Sequence, residues 1–139
     1  MTQGVLDTSA LLNITRVDPA ALPDEPLITA VTLAELSVGP LVARTDTERA
    51  NRQAQLQQAE ADFDPLPLDA AAARAFGGVA AALRTAGRTR AARAYDALIA
   101  ATALAHGLAV YTSNPDDFDG IPGLVVHPVT VADESPKGD

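Results

Sequence analysis

The sequence predicts an α/β fold in which a parallel sheet is covered by helices on both faces. Candidate strands and helices alternate along the chain. The candidate strands are unbroken apolar runs without polar alternation, as in sheets buried on both sides. The length, 139 residues, suits one domain. A domain of that size buries roughly 68–70% of its unfolded surface, and an apolar content of 47%, rich in alanine, supplies the core.

Residues 4–7 read as a short buried strand, with a helix beginning at Ser9 or Ala10. Asp18 to Pro26 contains three prolines and reads as a loop. "LITAV" at 27–31 is a β-type run followed at once by "TLAEL", where Thr32 and Glu35 have the S/T-x-x-E capping-box spacing. A helix is therefore expected from Thr32, ended or bent by Gly39-Pro40. Thr45 and Glu48 repeat that spacing and open a polar helix to about Phe63. "DPLPL" at 64–68 makes an edge strand at best, because proline cannot donate to a ladder. Asp69 reads as the N-cap of an alanine-rich helix that runs to Ala86 and stops at Gly87.

"RTRAAR" reads as a basic connector. "YDALIAATALAH" is then a helix apolar nearly all the way round, hence deeply buried, with Gly107 as its C-cap. "LAVYTSN" reads as a buried strand, "PDDFDG" as a tight turn or single helical turn, and "GLVVHPV" as the last strand. Residues 1–131 form the expected domain and 132–139 a disordered tail.

The composition excludes several chemistries. Without cysteine there are no disulfides, thiol nucleophiles or cysteine-held zinc. Three Phe, two Tyr and no Trp argue against an aromatic platform for single-stranded nucleic acid. "MTQGVLDTS" lacks the pattern of a signal peptide, and the longest apolar run is too short to span a bilayer, so no membrane is expected and a cytoplasmic protein is. A net charge of −8 disfavours nonspecific binding to polyanions overall.

The acids are unevenly spread. Asp7 follows the first strand, Glu35 lies in the first turn of the helix after the second, and Asp96 opens the buried helix. Asp116 and Asp117 lie just past the "LAVYT" strand with Asn114 beside them. Open α/β sheets bind ligands outside the carboxyl ends of their strands, and four separated segments bring acids to that edge. Singly, each acid has a local explanation as a cap, a capping-box partner, a helix-dipole anion or a turn residue. Together, without a lysine near any of them, they would repel one another and raise each other's pKa. A divalent cation removes that conflict, and oxygen-only ligands suit Mg²⁺ or Mn²⁺. Such a cation acidifies water for attack on a phosphodiester. His106 and His127 have structural explanations and form no nucleophilic triad. Arg84, Arg88, Arg90 and Arg93 fall in a ten-residue stretch just before Asp96, and their forked guanidinium groups suit phosphate, pointing to nucleic-acid or partner binding.

"VLDTSALL" at 5–12, "TLAEL" at 32–36, "YDALIAATALAHGLAVYTSNPDDF" at 95–118 and "GLVVHPV" at 123–129 resemble, in this order, the PIN-domain ribonucleases, and specifically the VapC toxins of bacterial toxin–antitoxin pairs. The resemblance implies a three-layer α/β/α sandwich around a mainly parallel sheet. It also implies a Mg²⁺- or Mn²⁺-dependent endoribonuclease acting on structured RNA such as tRNA or rRNA. By motif, Asp7, Glu35, Asp96 and Asp117 match the four catalytic acids, with Asp7, Asp96 and Asp117 holding metal. Asp116, next to Asp117, stays open as the fourth acid. Thr8, Thr112 and Asn114 resemble polar residues lining that site. A homodimer and a neutralising VapB-type antitoxin are implied as well. The alternative is a catalytically inert PIN-like module that binds RNA or protein. Phosphoryl-transfer domains with an aspartate after the first strand fit less well. Asp7-Thr8-Ser9 is not the D-x-D of haloacid-dehalogenase-type enzymes, and the late lysine of those enzymes and of response-regulator receivers has no candidate.

Overall fold

A computed structural model describes residues 1–87 and 92–132. Its four strands are β1 (Gln3–Leu6), β2 (Glu25–Leu27), β3 (Ala109–Thr112) and β4 (Val126–Pro128). They form one sheet in the order β2-β1-β3-β4, and every pairing is parallel. Among the described residues five α-helices flank it: α1 (Thr8–Leu12), α2 (Ala30–Val42), α3 (Asp46–Asp62), α4 (Ala70–Thr85) and α5 (Ala92–Ala105). The predicted α/β architecture with a central parallel sheet is the one observed.

The pleat of β1 divides the core. Val5, opposite Val110, faces a cluster built with Val79 and Leu83 of α4 and Ile99, Ala100 and Ala103 of α5. Leu6, opposite Tyr111, faces the other cluster, with Ala10, Ile28, Leu36 and Ala59. Successive residues of a strand point to opposite faces, so one strand serves both cores. The apolar character of α5 is matched by burial, with Ile99, Ala100, Ala101, Thr102 and Ala103 all fully enclosed.

Several boundaries differ from the sequence-based expectation. β2 takes Glu25 and Pro26 from the expected loop and only Leu27 from "LITAV", and α2 begins at Ala30 rather than Thr32. Thr29 is the N-cap, its hydroxyl accepting the Thr32 N–H at 3.3 Å. Two bonds fix the chain there: Ala30 N–H donates to the Leu66 carbonyl (2.8 Å) and Leu66 N–H to the Ile28 carbonyl (2.9 Å). "DPLPL" thus supplies one parallel bridge, Thr29 to Leu66, at the sheet's edge. Pro40 lies within α2, which continues to Val42.

The capping box at Thr45 is shifted on its return side. Thr45 accepts the Glu48 N–H (3.0 Å), while the Glu48 carboxylate reaches the Arg44 N–H (3.2 Å). Asp69 caps α4 as expected, accepting the Ala72 N–H at 3.0 Å. α5 starts at Ala92, because Ala-Arg-Ala continues a helix readily. Asp96 therefore lies in the second turn, beyond the reach of the dipole argument. "PDDF" forms a single 3-10 turn, and β4 is shorter than "GLVVHPV". Val131 forms an antiparallel bridge to Val17, and residues 133–139 of the expected tail lie outside the described residues. Among the described residues, no helix is long and apolar enough to cross a membrane.

Candidate active site

Asp7 is set at the carboxyl end of β1, where its N–H donates to the Tyr111 carbonyl of β3 at 3.0 Å. It is 3% exposed and caps α1. One carboxylate oxygen, Oδ1, accepts from the Ala10 N–H (2.8 Å) and from Ser9 Oγ (2.7 Å). The other, Oδ2, accepts from Thr112 Oγ1 (2.6 Å). The capping explanation and the functional one are therefore both true of Asp7. Burial pushes its carboxyl above the usual range, and the bonds from Thr112, Ala10 and Ser9 pull against that.

Glu35 does not close a capping box. Because Thr29 caps α2, the Glu35 carboxylate is free to turn across to α1, where Thr8 Oγ1 donates to its Oε1 at 2.7 Å. Thr8 also shares a 3.0 Å hydroxyl contact with Thr32, which is fully buried. Burial raises the Glu35 pKa; the bond from Thr8 lowers it, and the charge of Asp7 raises it further.

Asp96 projects from α5 and is the most perturbed acid, pushed up to about 7. Burial is the largest cause, followed by the charges of Asp117, Asp7 and Glu35, with Arg93 pulling down. Asp117 comes from the 3-10 turn after β3 and is held by the Arg93 guanidinium, which also lies 3.7 Å from an Asp96 oxygen. That pairing holds the Arg93 pKa above its ordinary value. Asp116, one residue earlier, is exposed and lines a different hollow with Pro115, Phe118 and Asp119. Asp117 is thus the member of the pair that joins Asp7, Glu35 and Asp96.

The predicted auxiliary residues divide. Thr8 and Thr112 touch the acids directly. Asn114 contributes its backbone N–H, donated to Thr112 Oγ1 at 2.9 Å, which helps fix that hydroxyl. Two groups were missed by sequence reasoning. Ser9 bonds Asp7 and also accepts the Ser113 N–H at 3.2 Å. Thr32 was read only as a cap. A serine two residues after the acid was the sole signal for the first, and nothing in sequence separates Thr32 from a cap. Of the arginines, Arg93 turns inward to the acids, Arg84 is exposed in the last turn of α4, and Arg88 and Arg90 lie outside the described residues.

The donor set is carboxylate and hydroxyl, without imidazole or thiol, which suits a hard divalent cation. The mutual charge that raises Asp96 is the conflict such a cation relieves. Among the described residues, no three acids stand as a ready cage for a cation.

A family model described as PIN domain matches residues 4–124. Ribonuclease VapC5 of Mycobacterium tuberculosis is 42% identical over 123 residues, covering 86% of this chain and 88% of that protein. Ribonuclease VapC4 of the same organism is 35% identical over 127 residues, covering 89% and 95%. Among solved structures, a member of the VapBC family of toxin–antitoxin systems, VapBC-5 from Mycobacterium tuberculosis, matches with a TM-score of 0.79 and 39% identity. That match covers 93% of this chain and all of that one. Acids from four segments meet at one sheet edge within a domain matched over most of its length, and the chain belongs to the PIN-domain family, among its VapC-type members.

Proposed function

We propose that the protein is a metal-dependent endoribonuclease toxin that cleaves structured RNA, tRNA or rRNA, in the cytoplasm and is neutralised by a VapB-type antitoxin. The observation that carries this reading is the convergence of Asp7, Glu35, Asp96 and Asp117 at the carboxyl edge of a parallel sheet, where burial and neighbouring charge raise the pKa of Asp7, Glu35 and Asp96. A bound Mg²⁺ or Mn²⁺ supplies an acidified water and a polarised phosphoryl oxygen.

The chain's own residues supply the rest. Asp7, Asp96 and Asp117 would hold the cation. Ser9, Thr112 and the Ala10 N–H fix both Asp7 oxygens, so no rotamer search is left for binding. Glu35, aimed by Thr8, takes the proton of the attacking water. Arg84, Arg88 and Arg90 offer guanidinium groups to substrate phosphates or to the partner.

The antitoxin part of the reading is supported by relatives solved as VapBC systems. It is also supported by apolar surface: a hollow lined by Leu11, Leu12, Ile14, Leu36 and Phe63, with Val38, Leu41 and Val42 exposed on α2. The toxin is read as a homodimer.

Incubation of purified, antitoxin-free protein with total RNA in Mg²⁺, Mn²⁺ or EDTA tests the activity. Discrete metal-dependent cuts are expected. They should fall by roughly 100-fold or more in folded Asp7→Asn and Asp96→Asn, because each removes a carboxylate that holds the cation. Variants that cut as well as wild type would overturn the mechanism. RNA bound but never cut would mark an inert PIN-like module.

A further inference from the structure

The four acids are not satisfied alike. Asp7 is held by two hydroxyls and a backbone N–H, and Glu35 by a hydroxyl, all neutral donors. Asp96 and Asp117 instead share the guanidinium of Arg93. Arg93 stands three residues before Asp96 on α5, so both side chains rise from the same helix face. One guanidinium nitrogen, Nη1, pairs with Asp117 and lies 3.7 Å from Asp96, so it ties α5 to the turn after β3.

We infer that Arg93 is a built-in competitor for the cation site: its guanidinium bridges Asp96 and Asp117 in the metal-free protein and must leave them before a divalent cation can bind both. This rests on the reading of these acids as metal ligands. The geometry is exclusive. The guanidinium donates to an Asp117 oxygen and lies 3.7 Å from an Asp96 oxygen, in the space a cation bound to both would take, and a single and a double positive charge a few Å apart repel. The Arg93 side chain is 28% exposed, so the released guanidinium has a path to solvent.

Competition has a signature that a plain structural ion pair lacks. Removing Arg93 destabilises the metal-free protein, which loses its counter-ion, yet strengthens metal binding, because the two sites are linked through the same oxygens. The test is thermal unfolding of the full chain across a Mn²⁺ titration, with Mn²⁺ alone as probe, for wild type, Arg93→Gln, Arg93→Lys and Arg84→Gln. Arg93→Gln should melt lower in EDTA and gain more from Mn²⁺, with half-saturation at roughly five- to tenfold less metal. Arg93→Lys, which keeps the charge on a shorter side chain with a compact head group, should fall between. Arg84→Gln makes the same change in net charge at an exposed position outside the cluster and should match wild type.

An Arg93→Gln protein that needs as much Mn²⁺ as wild type, or loses equal stability with and without it, would overturn the competitor. So would an equal gain in Arg84→Gln, which would reduce the effect to overall charge. Should Arg93→Gln fail to fold in EDTA, Arg93→Lys carries the comparison, and a half-saturation unchanged from wild type overturns the inference. A wild type with no Mn²⁺-dependent shift fails differently: it removes the metal reading, and the competitor with it.

Discussion

Asp96 projects from α5 among three other carboxylates, and its carboxyl is held near pH 7 chiefly by burial and by its neighbours' charge. In the unfolded chain it titrates near its ordinary value of 3.8. Between these two values the folded protein keeps a proton that the unfolded chain has lost. Metal-free stability is therefore largest in acid and declines as pH rises from about 4 through about 7. Asp7 and Glu35, both raised, add to the same slope, while Arg93 works against it. Thermal melts in EDTA should show the midpoint falling between pH 5 and 7.5. Asp96→Asn should flatten that fall and stabilise the metal-free protein at pH 7.5 by about 1–3 kcal/mol. A flat wild-type profile would mean the acids do not repel one another as their geometry requires.

At the scale of elements, β1 owes its place to a residue without a side chain. A Cβ on Gly4 would lie 2.2 Å from Tyr111 Cε1 and 2.7 Å from Cδ1 on the neighbouring strand. The Tyr111 ring has little freedom to withdraw, since it packs against His127 of β4 with centroids 4.8 Å apart. Gly4→Ala should cost roughly 1–3 kcal/mol, the usual penalty for overpacking, measured by urea unfolding. The same register carries the site, because Leu6 opposite Tyr111 puts Asp7 beside Thr112 at the strand ends. A neutral Gly4→Ala would mean β1 and β3 can slide apart more easily than this pairing implies.

Across the whole molecule, one thin sheet joins two cores. Val5 belongs to the α4–α5 side and Leu6 to the α1–α2–α3 side, so neither core unfolds without pulling on the same strand. Ile99→Ala and Ile28→Ala, fully buried on opposite faces, should each cost about 2–5 kcal/mol. Both should still unfold in a single transition, by fluorescence-independent probes such as far-UV circular dichroism and hydrogen exchange. Two separated transitions in either variant would show that the faces are independent units.

Much of this was written in the order of residues. Alternating apolar runs fix a parallel α/β sheet, since strands buried on both faces leave no polar alternation, and Asp7, Glu35, Asp96 and Asp117 were legible as acids just past strands or early in helices. Caps at Thr45 and Asp69 were legible because a cap is a contact over three residues. Whatever depended on residues far apart was not. Thr29 rather than Thr32 starts α2 because the partner fixing that turn, Leu66, lies far along the chain. The choice of Asp117 over Asp116 depends on which side of one 3-10 turn faces α5, and two adjacent aspartates look alike in sequence. Arg93 looked like one more phosphate-binding arginine. Packing α5 against the turn after β3 set its guanidinium on the acids, because a charge takes the nearest opposite charge that the fold brings within reach.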